Sequence, residues 1–136
     1  MTTRDGGLSH LFINKIPGHW QSVETWSTGR GVPDLNGCTD GVEFWVELKG
    51  TATNRVDLWP EQIGWLERRS RAGGRCFVAV RFRCLPGPRR VAQDTLFLFR
   101  GADARWLLKE GLRGPQPLGQ WSQPWDWDAV RALLVG

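Results

Sequence analysis

The stretch GVPDLNGCTDGVEFWVELKG, residues 31–50, carries Asp34, Glu47 and Lys49 among apolar neighbours. Charges are costly in a buried strand unless something pairs them. Asp40-Gly41 between two extended segments is the signature of a two-residue type I′ hairpin turn. Centred there, the turn pairs Thr39 with Val42 and sets Asp34 directly opposite Glu47, with Cβ atoms about 4.5–5.5 Å apart on one face. Lys49 lies two residues beyond Glu47 and shares that face, whereas Phe44, Val46 and Leu48 point to the other, into the core. Asn36-Gly37 offers a rival turn that leaves Asp34 near residue 39. The Asp40-Gly41 register is preferred because the apolar strand 42–48 then pairs over its full length.

Directly opposed like charges destabilise a sheet. A hard divalent cation reverses the sign of that effect. Magnesium takes oxygen ligands at about 2.0–2.1 Å and commonly uses one or two carboxylates, keeping several waters. Such an ion polarises a phosphodiester and makes water more acidic, and a neighbouring ammonium steadies the attacking water or the charge developing on phosphate. Spacing and register therefore point to phosphodiester hydrolysis assisted by Mg2+, with Mn2+ as the other candidate. The competing reading is a solvated strand face on which Glu47 and Lys49 balance each other, and spacing alone leaves both open.

Several elements are needed to position these groups. GGLSHLFINKI reads as a first helix with Ser9 as its cap and Leu11, Phe12 and Ile16 facing inward. HWQSVETWS reads as a strand, followed by strands over about 32–38 and 42–49. WPEQIGWLERRSRAGG carries helix signals: Pro60 at the first position, Glu61 at the positive end of the dipole, Gly73 or Gly74 as the stop. Ile63 and Leu66 give this helix its apolar stripe. RCFVAVRF and DTLFLFR are short buried strands, a short helix near 102–110 stops at Gly111, GLRGPQPLGQ is a loop, and a terminal helix starts at Pro124. The pattern is that of a mixed α/β protein.

The chain has 136 residues, the size of a single domain able to bury a core without staples. Its three cysteines are scattered, with no C-x-x-C pair, which argues against a disulfide framework and against structural zinc. No apolar run approaches a membrane span, and MTTRDGGLSH lacks the apolar core of a signal peptide, so a cytoplasmic protein with no membrane partner is expected. A net charge of +4 permits a polyanionic partner without demanding one.

GVPDL, followed thirteen positions after Asp34 by ELK, resembles the PD-(D/E)XK nuclease superfamily. WPEQIGWLERRSRAGGRCFVAV is similar to the next segment of its Holliday-junction-resolvase-like and VRR-NUC branches, in which a helix carrying a glutamine precedes a buried strand. The resemblance covers about residues 19–82. It implies a restriction-endonuclease-like core of order αβββαβ, a central mixed sheet flanked by helices, spanning about 8–100 of a single domain 1–136, with a C-terminal helical extension over about 102–136. It implies Asp34 and Glu47 as metal ligands with the Leu48 carbonyl as a third, Lys49 as the catalytic lysine, and Gln62 projecting from the helix to orient water or phosphate. Many relatives add an acidic ligand on the first helix, which GGLSHLFINKI lacks. It offers only Ser9, His10 and Asn14 there, of which Ser9 and His10 are accessory candidates, and Glu24 on the first strand is a further one.

The implied activity is a structure-selective, metal-dependent DNA endonuclease, acting as a homodimer on branched DNA in recombination or repair, in a phage or mobile-element setting. Arg30 at the rim would touch phosphate, and Lys15 and His19 would extend a backbone-binding surface. Arg68, Arg69 and Arg71 read as a solvated helix face that could also reach DNA. Two alternatives stand beside this: a nucleic-acid-binding module that keeps the fold without the chemistry, and an assembly protein using the tryptophan-rich C-terminus, where Trp121, Trp125 and Trp127 would stack on bases or pack against protein. Trp45 shares the face of Glu47 and would wall the site or pack under the first helix, and Trp59 would shape the pocket.

Overall fold

The Asp40-Gly41 turn forms with the backbone the dipeptide favours: φ is +53° at Asp40 and +77° at Gly41, the left-handed pair of a type I′ hairpin. Thr39 faces Val42 and Leu35 faces Val46, the register expected from the sequence. In the computed structural model, residues 4–23 and 30–136 are described. Helix α1 (Leu8–Lys15) leads to β1 (His19–Ser22), β2 (Leu35–Thr39) and β3 (Val42–Thr51), and α2 (Pro60–Arg71) connects these to β4 (Cys76–Cys84) and β5 (Gln93–Arg100). A 3-10 turn, Gly101–Asp103, opens α3 (Ala104–Glu110), and the chain ends with β6 (Gly119–Ser122) and α4 (Trp127–Val135).

All six strands form one mixed sheet in the order β1-β2-β3-β4-β5-β6. Among the described strands only the β3–β4 pair is parallel, as a connection through a crossover helix requires. Alternation sends Phe44, Val46, Leu48, Phe77, Ala79, Leu96 and Leu98 to one face, under α1 and α4. Cys76, Val78, Val80 and Phe99 go to the other, under α2 and α3. CFVAV in β4 is apolar without alternation because that strand is covered on both sides. Each fully buried Phe or Leu here contributes about 1.5–3 kcal/mol.

Three expectations are corrected. The cap of α1 is not Ser9: the Asp5 carboxylate accepts from Gly7 N–H at 2.9 Å and from Ser9 N–H at 3.2 Å. The terminal helix starts at Trp127 rather than Pro124, because the Asp126 carboxylate accepts from Ala129 N–H at 3.0 Å and caps it there. The segment expected to be a helical extension also supplies β6, an edge strand whose Trp121 faces Leu96. Pro117 and Pro124 bracket this four-residue strand, which itself starts at Gly119, and they give it the look of a loop.

That last segment is tied to the hairpin and the sheet. Arg131 forms an ion pair with Asp40 at the turn, and Arg75 donates to the carbonyls of Leu134 at 2.9 Å and Gly136 at 2.8 Å, closing the C-terminus of α4. Trp125 and Trp127 are packed with the α1 side of the core, Trp127 edge-on to Phe12, so neither is a free base-stacking platform. Among the described residues no helix is long and apolar enough to cross a membrane.

Candidate active site

Asp34 is the residue before β2, so the hairpin register delivers it beside Glu47 on β3. Its Oδ2 accepts from Leu48 N–H at 2.8 Å, a charge-assisted bond that fixes the carboxylate at the strand edge. In a strand the N–H and C=O of one residue point to the same edge. The Leu48 carbonyl thus looks toward the Asp34 side, and Leu48 lines the cleft that opens there. Gly31 lets this loop come close: its φ is +93°, and a Cβ there would run into the Glu61 carbonyl in the first turn of α2.

That same turn carries Gln62. Its Oε1 accepts from Trp59 N–H at 2.9 Å and from Lys49 Nζ at 3.1 Å, while its Nε2 donates to Glu47 Oε2 at 3.0 Å. Each end of the amide is thereby assigned by its partners, since the reversed amide would set NH2 against an ammonium. Lys49 Nζ stands 3.5 Å from Glu47 Oε2. Four residues from the loop before β2, from β3 and from α2 thus meet along one wall of a cleft of about 630 Å³.

The electrostatics of this wall are unbalanced. Glu47 is 1% exposed. Burial, and then the neighbouring Asp34 charge, push its carboxyl up to about 8 against the pull of Lys49. Burial also raises Asp34, opposed by the Leu48 N–H. Glu47 Oε1 is buried without a hydrogen-bond partner. Two carboxyls share one ammonium, and one inward oxygen faces no donor. Such an arrangement is relieved by a proton or by a cation.

The donor set suits a hard cation: two carboxylates, a backbone carbonyl and room for water. Among the described residues no group of three or more His, Cys, Asp or Glu side chains is gathered closely enough to hold a metal, so an ion here would rest on these two acids and oxygen from backbone and solvent.

Of the sequence candidates, the structure brings together Asp34, Glu47, Leu48, Lys49 and Gln62, with Arg30 on the cleft rim. Arg30 reaches Glu61 at 4.0 Å. Trp59 lines the cleft as expected. Lys15, His10 and His19 are exposed away from it: His10 pairs with Asn14 on the outer side of α1, and His19 opens β1 opposite Cys38, near the turn end of β2. Ser9 meets the site only through its N–H on Asp5. Glu24 lies outside the described residues. Trp45 packs against Trp65 of α2 with Arg69 above both rings, not under α1.

One residue was missed. Asp5 lines the cleft, and its charge adds a smaller push to Asp34 beyond burial. The segment carrying it is pinned by Gly50 N–H to the Arg4 carbonyl at 2.8 Å and by Arg81 to the Gly6 carbonyl at 2.9 Å. The signal is present, since Asp ahead of a helix is a preferred cap, but the sequence reading assigns the cap to Ser9. Searches against protein-family models and against curated proteins find no match to this chain.

Proposed function

We propose that this protein is a metal-dependent endodeoxyribonuclease of the PD-(D/E)XK type. The observation that carries the reading is Glu47: a buried carboxyl beside a second carboxyl, with one oxygen unpartnered, on the wall of an open cleft. Preference for branched DNA, action as a homodimer and a role in recombination or repair rest on the resemblance of GVPD, ELK and PEQ to junction resolvases.

Asp34, Glu47 and the Leu48 carbonyl would hold Mg2+ or Mn2+, which when bound polarises the scissile phosphodiester and makes nearby water more acidic. The chain supplies the rest. Lys49 Nζ, held by Gln62, is placed to donate to a phosphate oxygen and offset the charge that grows on it. Gln62 fixes Lys49 and Glu47 at a constant spacing through the two ends of one amide. Arg30, exposed at the rim, is available for a flanking phosphate.

A binding module that keeps the fold without the chemistry is the second reading. The absence of a three-residue ligand cluster among the described residues favours it. A cleavage assay separates the two: labelled four-way junction, flap and linear duplex with Mg2+ or Mn2+, against EDTA and Glu47→Ala. The expected result is metal-dependent cutting that Glu47→Ala lowers by about 10³ or more, the loss of several kcal/mol of transition-state stabilisation. Tight binding without cutting in either metal would favour the module.

A further inference from the structure

From Arg81 to Gln93 the chain carries Arg81, Arg83, Arg89 and Arg90 and no acidic residue. Arg83, Arg89 and Arg90 form no ion pair among the described residues. The adjacent acid, Asp94, is already taken by Arg81 through two bonds, at 2.8 and 2.7 Å. These arginines sit on the hairpin joining β4 to β5. Its Gly87↔Arg90 bridge continues the register of the Cys84↔Gln93 pair, so Leu85 lies across from Ala92 and Pro86 across from Val91.

The ribbon is therefore apolar on both faces near its tip. Leu85 is 79% exposed and Val91 78% exposed, and neither face of the tip is covered. The tip is also closed: Gly87 and Arg90 exchange backbone bonds at 3.0 and 3.3 Å, and Arg90 Nε donates to the Leu85 carbonyl at 3.0 Å. Pro86 and Pro88 narrow its backbone freedom further. A rigid, two-faced apolar tip held in water and carrying Arg89 and Arg90, which have no carboxylate partner among the described residues, suits a partner that offers flat apolar surface and negative charge together. Nucleic-acid bases and phosphates are that combination.

The sheet aims this tip at the same end as the cleft. β3 and β4 run parallel, with Lys49 beside Val80. At about 3.3 Å per residue, Leu85 stands about 16 Å beyond Lys49, on the order of the 12 Å width of a major groove. A backbone seated at Lys49 thus continues onto the hairpin within the next few nucleotides.

We infer that the hairpin of residues 84–92 is a DNA-contacting wedge: its arginines hold phosphates flanking the cut, and Leu85 and Val91 lie against bases unstacked at a discontinuity. This rests on the nuclease reading for the kind of partner and names the feature that selects branched over continuous duplex.

The test measures binding in calcium, without cutting, on a four-way junction and a linear duplex of matched sequence, with 2-aminopurine at the branch point. Wild type is compared with Arg89→Ala/Arg90→Ala and with Leu85→Ser/Val91→Ser, with melting temperatures confirming that each variant is folded. The arginine pair is expected to weaken both substrates about tenfold and to reduce the slope of log affinity on log salt by about 1.8, two phosphate contacts at roughly 0.9 each. The apolar pair is expected to keep the slope, lose the 2-aminopurine rise and bring the junction-to-duplex ratio toward one. Variants that match wild type in slope, fluorescence and ratio overturn the wedge, and a wild type that nevertheless cuts leaves the nuclease reading intact. A wild type that binds and discriminates through the hairpin but cuts nothing supports the wedge and removes the nuclease. A wild type that neither binds nor cuts removes both.

Discussion

Two groups of charged side chains flank the parallel pair β3–β4, and they are built on opposite terms. On one face Arg81 and Asp94 meet through two charge-assisted bonds. The guanidinium spends a further donor on the Gly6 carbonyl and lies over Trp125 at 4.9 Å, and Gln123 donates to Asp94 at 3.2 Å. On the other face Glu47 is more deeply buried and less well answered, with Asp34 beside it, one ammonium at 3.5 Å and one oxygen without a donor. The Arg81 bonds hold the Asp94 carboxyl below the usual carboxylate range, whereas burial and Asp34 push Glu47 up to about 8. Burial and stoichiometry both distinguish the clusters. One acid with one base closes a structural bridge. Two acids with one base leave one buried carboxylate oxygen without a donor.

The sharpest test of that contrast is pH. Glu47 binds its proton more tightly in the folded chain than at its ordinary value of 4.5. Its contribution to stability is therefore complete below about pH 4.5 and is lost as pH rises toward about 8, at up to about 1.4 kcal/mol per pH unit. Asp94 has the opposite sign: its folded value is depressed, so its contribution is present above the ordinary carboxylate value and is lost as pH falls through the depressed one. Urea unfolding in EDTA from pH 5 to 9 should show wild type losing stability across the range while Glu47→Gln stays nearly flat, with Mg2+ restoring the wild type at the alkaline end. Parallel curves for the two proteins would mean that burial and Asp34 do not strain Glu47.

Arg81→Ala sharpens the other half. It removes both bonds to a partly buried carboxylate and the hold on the Gly6 carbonyl, and should cost about 1–3 kcal/mol, or a melting temperature lower by about 2–4 °C for each kcal/mol. Glu47→Gln at pH 8 should move the melting temperature of the metal-free protein upward. Calorimetry of both variants at one pH decides it: shifts of the same sign would erase the distinction between a balanced and an unbalanced cluster.

Legibility in the sequence followed the range of the interaction. Asp34, Glu47 and Lys49 could be placed together because Asp40-Gly41 sets a local register, and once that is known alternation does the rest. Gln62 came from the resemblance, and the Gly31 contact that lets its helix approach was invisible, since it depends on where two distant segments touch. The Arg81–Asp94 pair hid for a similar reason: the residues lie 13 apart, on strands whose long hairpin fixes the pairing only once the turn at Gly87–Arg90 is known. β6 failed because a four-residue edge strand bracketed by Pro117 and Pro124 is too short to announce itself. Asp5 failed for want of context, since nothing local says that the segment ahead of α1 runs past the end of β3.

Asp5 also gives the smallest effect, and it asks whether that residue belongs to the cleft or only to the helix. Its carboxylate caps α1 through Gly7 and Ser9, and its charge adds to the burial that raises Asp34. Asn keeps an acceptor oxygen for the cap and removes the charge, while Ala removes both. Asp5→Ala should therefore cost about 1 kcal/mol of stability, the usual worth of a cap, and Asp5→Asn only a few tenths. Both should relieve Asp34 of a like charge and lower its pKa, an effect that can be read by carboxyl NMR in EDTA. A shift in Asp34 with Asn as well as with Ala places Asp5 electrostatically inside the site. A stability loss with Ala and no change in Asp34 with either variant would confine Asp5 to capping the helix, and the cleft would then rest on the Asp34–Glu47 pair alone.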